Sequence, residues 1–164
     1  MDVREELEKL VEDFFGVARI SGVPLSRHKI ELEILYAPHH QPTRLPTVMK
    51  AIYVFSMKGC CLKVGKAGPK TKARFTSQHY NPGSALSNSA KSIINSKGLL
   101  KSKLPPTIHE EINQLSERNI KSWIENNTTR YHFFIDAELD DLVLALFEVF
   151  FQCRLKPLFE GKMA

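Results

Sequence analysis

The tightest constraint on this chain is a pair of short apolar segments, residues 51–56 and 61–66, separated only by Met57-Lys58-Gly59-Cys60. Glycine in so short a connection favours a β-hairpin. Side chains alternate across a strand, so Ile52, Val54, Leu62 and Val64 are expected on one face. Tyr53, Phe55, Cys61, Lys63 and Gly65 are expected on the other, which lets Tyr53 and Lys63 point into the same space.

The segments around the hairpin supply its cover. Residues 131–135 are β-like, and residues 138–153 read as a strongly apolar helix that ends before Pro157. Residues 70–80 read as a short helix after the Gly68-Pro69 break, and residues 84–95 as another with Leu86, Ala90, Ile93 and Ile94 inward. Residues 95–106 are expected to form a basic loop. Thr107 and Glu110 make a capping-box pattern that opens a helix running through Trp123. Near the start, Asp2 and Glu5 form a similar box before Leu7, Leu10, Val11 and Phe14, with Gly16 as the stop. Ile30, Leu32, Ile34 and Tyr36 then alternate as in a half-buried strand, and Pro38, Pro42 and Pro46 break regular structure until Thr47. The expected fold is α+β, a small antiparallel sheet of hairpin plus third strand, flanked by helices. Residues 1–48 are read as an N-terminal helix-and-strand extension and residues 49–164 as the core.

Charge is unevenly spread. The formal net charge is +5, yet residues 34–109 hold no Asp or Glu and twelve basic residues. The remaining chain carries 11 basic against 18 acidic residues, or −7. A basic tract inside a folded domain points to a polyanionic partner, with nucleic acid first. The longest apolar run falls far short of the roughly 20 residues that span a bilayer, and no export signal is visible. A soluble cytoplasmic protein without a membrane partner is therefore expected. Cys60, Cys61 and Cys153 show no metal or disulfide spacing and are read as reduced.

Two features carry chemistry. Glu148 is the only polar residue from Leu142 to Phe151. A buried carboxylate needs a cation, a metal or a hydrogen-bond network, so an ion pair with a sheet lysine and a metal site both stand open. The second feature is the group Tyr53, Lys63, Lys66 and Arg74. Cations around a phosphate stabilise the transition state of phosphodiester cleavage, and a base orients the attacking water.

At these residues the chain resembles the GIY-YIG nuclease family. Ala51-Ile52-Tyr53 stands where the family's first tripeptide would be, and Lys63-Val64-Gly65 where the second would be. The passage from Lys66-Ala67-Gly68 to Arg74-Phe75 looks like the family's glycine turn and arginine-bearing helix, and Glu148 matches its metal-binding glutamate. The resemblance implies one divalent metal held by Glu148, magnesium with manganese as a substitute. It makes Tyr53 the general base or water orienter, and Arg74 and Lys63 the stabilisers of phosphate and transition state. Free tyrosine has a pKa of about 10, and Lys63 and Lys66 would favour its phenolate.

The chain departs from the family at three points. Ala51 replaces a glycine, Lys63 replaces the usual second tyrosine, and the stretch Arg154-Leu155-Lys156-Pro157-Leu158 lacks a late asparagine, for which Arg154 or Lys156 could substitute. Lysine at the second tripeptide resembles some restriction-enzyme members. His79 follows Arg74 by five positions and is expected at a surface, as a cap or phosphate contact. Lys66, Lys70, Lys72, Lys97, Lys101 and Lys103 are expected to contact nucleic acid without reading bases. The function implied is a metal-dependent endonuclease of double-stranded DNA, restriction-type, working as a homodimer or on two sites. The alternatives are a catalytically silent nucleic-acid-binding module and a structure-selective nuclease for repair or RNA.

Overall fold

The hairpin forms as its turn residues dictate. In a computed structural model, which describes residues 2–26, 29–84 and 88–159, β2 (Met49–Met57) and β3 (Cys60–Ala67) are antiparallel. Lys58 and Gly59 join them with φ of 48° and 77°. Two successive left-handed residues give a turn whose twist matches the strands. The register then slips between Phe55 and Ser56. The slip places an extra residue on β3, so Leu62 joins Tyr53 and Phe55 while Cys61 packs with Val54 and Val64. That reverses the faces expected for Cys61 and Leu62 from simple alternation.

Among the described residues, the sheet has four strands in the order β1-β4-β2-β3, all antiparallel, with β1 spanning Glu31–Leu35 and β4 spanning Thr129–Asp136. The fold is α+β, as expected. The N-terminal strand β1 is an edge strand of this same sheet, paired along its length with β4. Side chains align in rungs across the strands. Glu33, His132, Tyr53 and Gly65 form one rung, and Leu35, Arg130, Phe55 and Lys63 form the next. The outer edge of β3 is covered by the chain end, where the Leu158 and Phe159 amides donate to the Cys61 and Leu62 carbonyls.

Helices cover both faces. On one lie α1 (Val3–Ile20) and α7 (Asp141–Leu155), packed on Ile52, Val54, Val64 and Phe133. The capping box at Asp2 and Glu5 is present, but α1 runs through Gly16 without stopping. Glycine inside a helix costs about 1 kcal/mol, whereas burying one phenylalanine contributes about 1.5–3 kcal/mol. Phe14, fully buried and stacked on Phe147 with centroids 4.2 Å apart, outweighs that cost.

The other face carries shorter helices. The helix expected over 70–80 is a single turn, α2 (Lys72–Phe75), followed by a 3-10 turn, Gln78–Tyr80. Next, α3 (Ser89–Asn95) is capped by the Asn88 side chain, which accepts from the Lys91 amide. Leu86, expected in its core face, lies outside the described residues. The expected basic loop is largely a helix, α4 (Lys97–Lys103), because Leu100 and Leu104 bury themselves in the core. The helix expected from Thr107 to Trp123 is divided into α5 (His109–Asn113) and α6 (Ile120–Asn127). Asn119 divides it: its side chain accepts from the Ser116 amide and donates to the Gln114 carbonyl, offering the backbone a turn in place of a helix. No helix among the described residues is long and apolar enough to cross a membrane.

Candidate active site

Tyr53 sits in the middle of β2, only 2% exposed. Its Oη lies 2.6 Å from Nε2 of His79, which the 3-10 turn after α2 brings over the sheet. The Nδ1 of His79 accepts from the backbone N–H of Ser89, 3.1 Å away. A neutral imidazole carries one proton, and an amide N–H can only donate, so that proton is on Nε2 and is donated to Tyr53. Burial pushes the His79 pKa down to about 3, aided by the nearby charges of Arg130, Lys63 and Arg74. His79 is thus a buried, neutral donor aimed at Tyr53, and not the surface residue its spacing suggested.

Gly65 makes room for this hydroxyl. A Cβ on Gly65 would lie 2.5 Å from both Oη and Cζ of Tyr53. The missing side chain lets the phenol lie across β3 towards the edge of the sheet. Lys63 is one rung away on the same face and 8% exposed. The expectation that Tyr53 and Lys63 share a face therefore holds.

Arg130 completes the surroundings of Tyr53 and was not singled out from the sequence. It is fully buried, with Cζ 5.1 Å from the centroid of the Tyr53 ring and 4.8 and 4.9 Å from those of Phe55 and Phe75. It donates to the Phe75 carbonyl and, at 3.2 Å, to the Tyr80 hydroxyl. Tyr80 Oη in turn contacts Nε2 of His39, 2.9 Å away. In the neighbouring rung, His132 Nδ1 lies 2.7 Å from Glu33 Oε2. Burial pushes the His132 pKa down to about 4, and the hydrogen bond with His132 holds the Glu33 carboxyl below its usual range.

Glu148 stands on the opposite face of the sheet. It projects from α7 to Lys66, and the two form an ion pair with side chains 16% and 37% exposed. Lys66 shares its rung with Ile52 and Phe133, so it is not beside Tyr53 as the sequence grouping supposed. At the end of β3 a cleft of about 510 Å³ is lined by Lys50, Lys66, Lys70 and Arg74, with Asp141 and Leu144 across from them. Arg74 is exposed there, on the third residue of α2. Lys50 is held by Asp141, 2.8 Å away, and by the Leu139 carbonyl. Two lysines of the acid-free tract thus meet carboxylates from α7.

The other basic residues divide in two. Lys70, Lys72 and Lys103 are exposed. Lys97 donates to the carbonyls of Asn113 and Leu115, and Lys101 to Asn113 Oδ1, so these two tie α4 to the end of α5 and the residues just after it. Arg154 pairs with Asp13, 2.7 Å away, and Lys156 ends α7 in a left-handed conformation.

No group of three or more His, Cys, Asp and Glu that could hold a metal occurs among the described residues. Magnesium keeps several waters and is commonly held by one or two carboxylates plus substrate phosphates. A single partly buried carboxylate beside a lysine that lines a basic cleft fits that mode, and Glu148, paired with Lys66, is the residue that would supply it. Comparison with protein-family models, with curated proteins and with solved structures finds no match to this chain.

Proposed function

We propose that the protein is a metal-dependent endonuclease that hydrolyses phosphodiester bonds in double-stranded DNA, on the pattern of the GIY-YIG nucleases. The observation that carries this reading is the cleft where Lys66, Lys70 and Arg74 gather beside the Lys66–Glu148 pair. Cations there bind a phosphate and its more highly charged transition state, and a guanidinium can do so through two parallel hydrogen bonds. Glu148 would hold a magnesium ion, which when bound supplies a Lewis acid to the phosphate oxygens. On that pattern Tyr53 is the base or the orienter of the attacking water, with His79 holding its hydroxyl; because this hydroxyl is buried on the face of the sheet away from Glu148, the role requires Tyr53 to be reached past Gly65 when substrate binds. Water adds to phosphorus, the bond to the leaving oxygen breaks, and that oxygen takes up a proton. A restriction-type enzyme of this kind would cut both strands as a pair of copies.

The test is incubation of the purified chain with plasmid DNA, branched DNA and RNA in magnesium or manganese. Cleavage of duplex DNA, abolished in Glu148→Ala, supports the reading. Cleavage unchanged in Glu148→Ala overturns the metal role. A second reading, a binding module without turnover, is favoured by the burial of Tyr53 and by Lys66 already neutralising Glu148. It predicts strongly salt-dependent binding and no cut product with any substrate or metal.

A further inference from the structure

We propose that Lys50 is a phosphate-binding residue of the basic cleft, and that the Asp141 carboxylate holds the place of a backbone phosphate until nucleic acid arrives. The inference rests on the reading of that cleft as a nucleic-acid site, and adds to it a residue and an exchange.

Lys50 lies on β2, on the same face of the sheet as Lys66, and is 7% exposed. Its stem runs past Gly68, 3.6 Å from where a Cβ of that glycine would stand. From there it lines the cleft together with Lys66, Lys70 and Arg74. An ammonium has three N–H donors. Two are taken by the Leu139 carbonyl and by Oδ1 of Asp141, the latter 2.8 Å away. A lysine this deep needs an anion beside it, because an unpaired buried charge is expensive. A phosphate oxygen meets that need as well as a carboxylate oxygen does.

Asp141, Leu144 and Glu148 recur along one stripe of α7, so a single helix offers two carboxylates to two lysines. The two are held very differently. The Glu148 side chain is 16% exposed against Lys66, whereas that of Asp141 is 90% exposed against Lys50. An ion pair with one partner in water is weakly held and screened by salt. Asp141 can therefore turn out into solvent while Lys50 stays where β2 puts it.

The position Asp141 fills is already an anion's. The hydrogen bond from Lys50, and then the charges of Lys50 and Lys70, hold its carboxyl below the usual carboxylate range. A duplex held by Lys70 and Arg74 through one phosphate brings its neighbouring phosphates at high local concentration. One of them replaces Asp141 on Lys50, and the freed carboxylate returns to water.

The experiment is fluorescence anisotropy of an end-labelled DNA duplex with the full chain, in EDTA and across a salt series. Asp141→Asn is expected to bind about three- to tenfold tighter than the wild type, because its site no longer holds a competing anion. Lys50→Met should lower the slope of log affinity against log salt by about one. In the Lys50→Met background the gain from Asp141→Asn should vanish. Glu138→Gln removes an exposed charge just before α7 and outside the cleft, and should change affinity by less than about twofold. Duplex binding that is equal in wild type and Asp141→Asn overturns this inference alone. So does a gain that survives in Lys50→Met, or one that Glu138→Gln matches. No duplex binding by any variant overturns the proposed function, and this inference with it. If Lys50→Met does not fold, the comparison of Asp141→Asn with Glu138→Gln decides by itself.

Discussion

The hydroxyl of Tyr53 occupies the space where a side chain on Gly65 would begin, with only 2.5 Å between Oη and the position of that Cβ. The phenol cannot retreat, because Phe55, Phe75, His79 and Arg130 surround its ring. The Lys63-Val64-Gly65 tripeptide and the Ala51-Ile52-Tyr53 tripeptide are therefore two halves of one fit. Gly65→Ala is expected to destabilise the fold by about 1–3 kcal/mol, the usual cost of overpacking a filled core. It should also break the Tyr53–His79 bond, seen as a shift of the His79 ring resonances in NMR. A variant as stable as the wild type, with those resonances unmoved, would contradict the contact.

Acid should unfold the protein through its buried histidines. His79 and His132 have folded pKa values pushed down to about 3 and about 4, against about 6.5 when unfolded. The unfolded chain therefore binds more protons below pH 6.5. The stability these two residues contribute is complete above that pH and declines as pH falls towards 4 and then 3. Each loses about 3 kcal/mol between pH 6.5 and pH 4, at 1.36 kcal/mol per pH unit. The urea midpoint should fall steadily across that range, and His132→Gln should flatten the decline.

The Lys66–Glu148 pair should behave as a coupled unit. Lys66→Met leaves a mostly buried carboxylate without its cation, with an expected loss of about 1–2 kcal/mol, below the full buried-pair cost because Lys66 is partly exposed. Adding Glu148→Leu in the same chain should recover most of that loss, since apolar replacement of a buried pair is often neutral or stabilising. Urea denaturation of the two single variants and the double variant measures the coupling directly.

Under the proposed function, DNA contact should track exposure, not charge count. Lys70→Ala and Lys72→Ala should each lower the slope of log affinity against log salt by about one, the signature of one lost phosphate contact. Lys97→Ala should leave that slope nearly unchanged and instead lower stability, because its ammonium bonds the Asn113 and Leu115 carbonyls. Fluorescence anisotropy across a salt series separates the two effects.

The parts of this fold legible in the sequence are those fixed by local rules. Lys58-Gly59 announced the turn, and the isolated carboxylate of Glu148 announced a partner, found in a sheet lysine. Segments decided by tertiary packing read less well. Lysine spacing disguised α4 as a loop, although Leu100 and Leu104 hold it in the core. Gly16 signalled a stop that the Phe14–Phe147 stack overrides. His79 was misplaced because a helix of one turn followed by a 3-10 turn changes its direction relative to Arg74. The strand reading began at Tyr131, one residue past Arg130, and so missed the cation beneath Tyr53. Tyr53 and Lys63 were correctly put on one face, while Lys66, an odd step along β3, belongs to the other.

Helix α7 brings the sheet both apolar cover, through Leu144, Phe147 and Phe151, and the carboxylates Asp141 and Glu148, which meet Lys50 and Lys66. One helix therefore fills the core on one side of the sheet and neutralises two of its lysines. A change that loosens α7 would expose both at once, so that loss of packing and gain of positive charge are a single event on this face.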